Sequence, residues 1–149
     1  MSNVRPQVKR LSASFHLPKH VWALLALCGI ASLIHFSHNA EYIAFYPIMP
    51  AWLTREKVYL AWLAITGVGI IGAILVAAGW RTTAALFFAA YGAFGLDGLG
   101  HYTLALCSEH TLVVNFSIWF EAVAGVTLAA SAGWFAWQQA GMRQWHAGA

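Results

Sequence analysis

The amino-acid sequence predicts an all-α integral membrane protein, a four-helix bundle with short connections and an aromatic interfacial loop between helices 1 and 2. Three observations carry this reading. Of the 149 residues, 60% are hydrophobic and 9% charged, with a mean hydropathy of +0.65. Soluble domains carry about 25% charged residues, and a soluble chain this apolar lacks the polar surface to cover itself. The apolar residues fall into four runs, each about long enough to cross ~30 Å of hydrocarbon at ~1.5 Å per residue. Aromatic residues make up 15% of the chain and include eight Trp, and Trp and Tyr gather where a bilayer meets water. Strands are excluded because a lone sheet in lipid leaves its edge groups without partners.

Residues 1–19 form a basic N-terminus with Arg5, Lys9, Arg10 and Lys19, expected in the cytoplasm. The first span covers about 21–38. Basic residues ahead of an apolar run are also the pattern of a signal peptide, but no small-x-small cleavage site follows, so the run reads as an uncleaved helix. Residues 41–57 (EYIAFYPIMPAWLTREK) form a loop, since Pro47 and Pro50 forbid a continuous helix. Tyr42, Phe45, Tyr46 and Trp52 place that loop in the interface. Thr54 is suited to N-cap the second span, about 58–80, with Glu56 favourably placed in its first turn. That span contains Gly67-Val-Gly-Ile-Ile-Gly72, a literal GxGxxG. A dinucleotide site needs a strand before the motif and a polar phosphate cradle at a helix start, so here the glycines read as helix-packing positions. Arg81, Thr82 and Thr83 are expected to turn the chain into the third span, about 84–106, and CSEHT (107–111) into the fourth, about 112–137. Residues 20–138 thus make one transmembrane domain, and 139–149 a polar cytoplasmic tail with Arg143 and His146.

Lys and Arg set the expected orientation. With both ends inside (N-in/C-in), the cytoplasmic side holds Arg5, Lys9, Arg10, Lys19, Arg81 and Arg143, and the outer side only Arg55 and Lys57. The expected location is the cytoplasmic (inner) membrane of a bacterium. The formal charge of +3 does not mark a nucleic-acid binder, because no basic stripe or arginine cluster is present. Cys28 lies mid-span and Cys107 near a membrane face, a depth difference that argues against a disulfide.

This topology sorts the polar residues. His35, His38, Asn39 and Glu41 end the first span; Asp97 and His101 fall in the outer half of the third; Glu109 and His110 lie in the turn after it; Asn115 and Glu121 open the fourth. All acidic residues but Glu56, and four of the seven histidines, gather toward one membrane face. An ionisable group at a helix centre costs roughly 2.5–3.5 kcal/mol on insertion scales, so such groups face the bundle interior and pair. Asp97 and Glu121 are expected to be the deepest carboxylates. His35 and His38 are i,i+3, and Asp97 and His101 i,i+4, so each pair shares a helix face. Two helices offering two ligands each would make a four-ligand cage. Imidazole nitrogens with a carboxylate suit a divalent transition metal such as Zn, Fe or Cu. Asn39, Tyr42, Tyr102, His110 and Asn115 would orient the ligands from behind. Glycines 92, 95, 98 and 100 around Asp97 permit close approach of a helix or ligand.

The leading expectation is therefore a metal site at His35, His38, Asp97 and His101, used for chemistry on an apolar substrate or for metal handling. Glu121 or Glu41 would transfer protons, and loop 42–52 would act as a lid. Haem held by His101 with His35 or His38 is a lesser variant. A second expectation is a metal-free membrane isomerase, or a protein that binds a lipid or sterol-like molecule, with Asp97 and Glu121 as acid and base. A third is a small accessory subunit of a larger respiratory or photosynthetic complex, or a homo-oligomer, in which the polar cluster holds helices together. The histidine boxes of membrane fatty-acid hydroxylases and the cysteine pairs of mercury transport proteins are absent. The buried carboxylates of the sterol isomerase group are too general a feature to assign residues here.

Overall fold

The computed structural model describes residues 17–46 and 50–147. The expectations for Arg5, Lys9, Arg10 and Pro47 lie outside the described residues. Among those described, every regular element is helical. Helix α1 (Lys19–Glu41) begins behind Pro18, whose carbonyl accepts the Val21 N–H, and runs into a 3₁₀ turn over Ile43–Phe45. Helix α2 (Arg55–Ala77) starts at Thr54, whose hydroxyl accepts the Lys57 N–H at 3.4 Å while Glu56 stands in the positive first turn. Thr54 is thus the N-cap that the sequence indicates. Helix α3 (Arg81–Phe94), a 3₁₀ turn (Asp97–Gly100) and the short α4 (His101–Leu104) together form the third apolar element. A further 3₁₀ turn, Cys107–Glu109, leads to α5 (Leu112–Ala147). Four helical stretches, Lys19–Glu41, Arg55–Ala77, Arg81–Leu104 and Leu112–Gly141, are long and apolar enough to cross a membrane.

Three boundaries depart from the sequence reading. Gly79 takes φ +84°, a left-handed value that only glycine adopts without strain, and ends α2 early. The tight turn is therefore 78–80, and Arg81–Thr83 form the first turn of α3 rather than the connection. The third stretch is not one continuous helix, because the glycine-rich GLDGLG segment tightens into 3₁₀ geometry. Helix α5, at 36 residues, is roughly 54 Å long at ~1.5 Å per residue. It is longer than the ~30 Å needed to cross a hydrocarbon core and carries the expected tail as helix to Ala147.

Helices α1 and α3 each pack against both α2 and α5, so they stand diagonally across a four-cornered bundle. The core holds Val21, Cys28, Ala31, Phe88, Tyr91 and Leu128. Cys28 is buried and Cys107 exposed, and neither is in a disulfide. Large apolar side chains such as Ile34, Leu60, Ile70, Ile74 and Leu86 point outward, as a lipid solvent allows.

Small residues set the crossings. A Cβ on Gly72 would lie 2.6 Å from the Phe88 ring, and one on Gly69 3.0 Å from the Tyr91 ring, so two of the three GxGxxG glycines seat α3 side chains. At the α3–α5 crossing, a Cβ on Gly92 would lie 2.5 Å from the Gly125 carbonyl oxygen, and one on Gly125 would overlap the Gly92 carbonyl. Gly67 has nothing within 4 Å of such an atom. Gly125→Ala is therefore expected to destabilise the detergent-solubilised protein by about 1–3 kcal/mol through overpacking. Gly67→Ala should be neutral or slightly stabilising by helix propensity. Paired thermal or denaturant unfolding of the two variants decides it, and equal stability would contradict the crossing.

Candidate functional site

A polar cluster forms where the end of α1 meets the start of α5. On α1, Ser32, His35 and Asn39 recur at helical spacing, and on α5 Ser117 and Glu121 are one turn apart. The two faces meet at His35 and Glu121, which are 2% and 1% exposed. The Ser117 hydroxyl donates to the Val114 carbonyl at 2.9 Å, so its oxygen is left to accept from His35 Nδ1 at 3.2 Å. On the opposite edge of the ring, the Asn39 amide donates to His35 Nε2 at 2.9 Å and to His101 Nε2 at 3.1 Å. Glu121 Oε2 lies 3.7 Å from His35 Nε2, too far for a hydrogen bond and an ion pair only when His35 carries the proton. Glu121 Oε2 and Asn39 Oδ1 are buried without a hydrogen-bond partner. Gly98 roofs the pair, and a Cβ there would lie 3.1 Å from His35 Nε2 and 3.6 Å from Glu121 Oε2.

This arrangement can hold one proton in two ways. On Glu121, the proton leaves both groups neutral. On His35 Nε2, it creates an ion pair and requires Asn39 to withdraw its donor or turn its free Oδ1 toward the ring. The alternatives share one buried, water-poor site, where an uncompensated charge is costly.

Two cavities flank the cluster. One, of about 350 Å³, has Asn39, Asp97 and His101 at its polar end and Phe36, Val58, Ala61 and Leu104 on its apolar walls. The other, of about 460 Å³, is bordered by His38, Tyr42, Phe45, Tyr46, Glu109 and His110. Burial pushes the Tyr46 phenol up, above the ordinary tyrosine range. Its hydroxyl therefore stays protonated and shares a hydrogen bond with His38 Nδ1 at 2.9 Å.

The expected site residues divide as follows. His35, His101, Asn39 and Glu121 come together. His38 turns away from His35 toward Tyr46. Asp97 shares a cavity with His101 but is exposed in the 3₁₀ turn, so it is not one of the deepest carboxylates, and the partner of Glu121 is His35. Glu41 stands apart as an exposed clamp, accepting from Arg55 at 2.7 and 3.0 Å and from Tyr59 at 2.8 Å. Tyr42 packs against the His38 ring at 4.7 Å between centroids. Tyr102 donates to Asn115 Oδ1 at 2.8 Å, and Asn115 donates to the Cys107 carbonyl, pinning the 107–110 segment to α5. The His110 ring stands 6.1 Å from that of His101. Among the described residues, no group of three or more His, Cys, Asp or Glu side chains is arranged to hold a metal ion. The cage of His35, His38, Asp97 and His101 is therefore not assembled. The point where the two Nε2 atoms converge is held by the Asn39 amide. Sequence reasoning did not single out Ser117, although its place one turn before Glu121 in an apolar helix was a usable signal.

Fold and site thus define a class: a bundle with four helices of membrane-crossing length, enclosing a buried imidazole–carboxyl pair at one end. Comparison with family models, with curated proteins and with solved structures finds no match to this chain.

The pair also makes a stability prediction. His35→Leu removes the group that faces Glu121 and one hydrogen bond each from Ser117 and Asn39, and is expected to cost about 3 kcal/mol, in the range for breaking a buried pair. Adding Glu121→Leu should recover part of that loss. A double-mutant cycle measured by chemical denaturation in detergent tests this, and strictly additive effects would show that the two residues do not interact.

Proposed function

We propose that this chain is a multi-pass membrane protein, N-in/C-in, that binds an apolar or lipid-like small molecule and moves a proton on it without a metal. The observation that carries the reading is the buried His35–Glu121 pair, two hydrogen bonds through Asn39 from a cavity with a polar end and apolar walls. Ionisable groups at this depth are functional candidates by default, since a merely structural contact would be made more cheaply by apolar residues. In this reading Glu121 stores the proton and gives it to His35 Nε2 when the Asn39 amide turns aside. The proton then passes to the neighbouring His101 ring, 5.5 Å away between centroids, at the cavity where Asp97 faces the ligand's polar end. The chemistry that fits is isomerisation: a proton leaves one carbon of the substrate, the electron pair shifts, and a proton returns to another carbon, with no net oxidation.

The test uses the full chain in lipid nanodiscs, loaded with the apolar extract of its host membranes and incubated in deuterated water. Wild-type protein is expected to place solvent deuterium on a carbon of a bound molecule, seen by mass spectrometry. Glu121→Gln should slow this by about 100-fold or more, the usual contribution of a general acid–base group. Deuterium incorporation unchanged in Glu121→Gln would overturn the acid–base role. One equivalent of a transition metal, lost in a His35→Ala, His101→Ala double variant, would overturn the metal-free reading.

A further inference from the structure

The larger cavity has a chemistry of its own, built from residues that the His35–Glu121 pair does not use. Five rings follow one another around it. Phe45 and Tyr42 are 6.4 Å apart between centroids, Tyr42 and His38 4.7 Å, His38 and Tyr46 6.0 Å, and Tyr46 and His110 6.3 Å. The local sequence makes this arc. The 3₁₀ turn over Ile43–Phe45 reverses the chain just past α1, which seats Tyr46 in the core against Val114 and Ile118 and leaves Phe45 84% exposed. The cavity holds about 460 Å³.

Its electrostatics are one-sided. Among the described residues, the formal charge on the lining is the Glu109 carboxylate, which accepts from the Leu106 N–H at 2.6 Å. Among the described residues, no Lys or Arg lines it. The two basic side chains at this end, Arg55 and Lys57, are engaged elsewhere, Arg55 with Glu41 and Lys57 with the Trp52 carbonyl at 2.7 Å. A primary ammonium asks for three directed acceptors. Besides Glu109 and the rings this lining has Thr111, whose hydroxyl accepts from the Val114 N–H, and the Tyr46 hydroxyl and His38 Nδ1 are paired with each other. A methylated ammonium asks for none. Its diffuse charge is stabilised by aromatic faces within ~6 Å and by a nearby carboxylate. The cavity also lies at the end of the membrane-length helices.

We propose that this aromatic cavity binds a quaternary ammonium group, borne either by a lipid headgroup or by a free small molecule such as choline. Tyr42, Phe45 and Tyr46 supply the aromatic faces, and Glu109 supplies the countercharge.

The experiment is calorimetric titration of the full chain in phosphatidylglycerol nanodiscs with three probes: tetramethylammonium, choline, and the neutral isostere 3,3-dimethylbutan-1-ol. Both cations are expected to bind, and the neutral isostere to bind several-fold more weakly. Tyr42→Ala should weaken choline binding about two- to fivefold, the size of an exposed cation–π contact, and Glu109→Gln by about the same factor, the size of an exposed ion pair. Tyr42→Phe, which keeps the ring, should bind as the wild type does and so shows that loss in the alanine variant is not misfolding. The proposal is overturned if neither cation binds, if the neutral isostere binds as tightly as choline, or if Tyr42→Ala leaves choline affinity unchanged. Repeating the choline titration in phosphatidylcholine nanodiscs identifies the source. Suppressed binding there assigns the site to the lipid headgroup, and unchanged binding assigns it to a free cation.

Discussion

Glu121 sits about two and a half turns into the largely apolar α5 and is 1% exposed, so it is shielded from solvent. A carboxyl group placed there costs kilocalories per mole unless it is met by a partner, and that requirement constrains everything near it. It fixes the rotation of α5, which must turn Ser117 and Glu121 toward α1. It fixes the face of α1, which must offer His35. It also explains why the segment over the pair is Gly98, since a side chain there would press on both His35 Nε2 and Glu121 Oε2. The Gly92–Gly125 crossing brings the third element close enough to α5 to supply that roof.

Much of the fold was legible in the sequence because it depends on one-dimensional quantities. Span length, hydropathy and the Thr54 cap follow from composition and order along the chain, and so does the gathering of polar residues at one depth. The GxGxxG run could be assigned to packing because depth alone excludes a phosphate site. The fine boundaries were less legible. The left-handed Gly79 moved one turn by three residues, and the glycine-rich run after α3 broke a helix that hydropathy alone treats as continuous. Both are backbone effects to which an apolar-run reading is blind.

The site was legible in membership but not in pairing. Depth says which residues are at the same level; rotation says which of them meet. His35 and His38 are three residues apart, about 60° short of a full turn. At the corner of a bundle that difference sends one inward to Ser117 and Glu121 and the other toward Tyr46. Asp97 and Glu121 looked alike on paper, two carboxylates in apolar spans. They differ because Asp97 opens a 3₁₀ turn beside a cavity while Glu121 lies in regular helix against α1. A four-ligand cage needed both histidines of α1 on one side, and the helix did not deliver that.

The same division of α1 explains why two cavities of different character lie side by side. Its last two turns send Phe36 and Asn39 to the smaller cavity and His38 and Tyr42 to the larger one. The wall between them is a layer of rings, with Tyr46 5.2 Å from His101 and His101 6.1 Å from His110. His101 belongs to this wall and also accepts from Asn39, so it touches both the proton-handling cluster and the aromatic arc. The Glu41–Arg55 clamp and the Asn115 bracket tie down the two chain segments that carry the arc, one on each side. Neither clamp contacts Glu121. They hold the segments around the larger cavity instead, and this leaves the buried pair to be positioned by helix packing and by the Ser117 and Asn39 hydrogen bonds to His35.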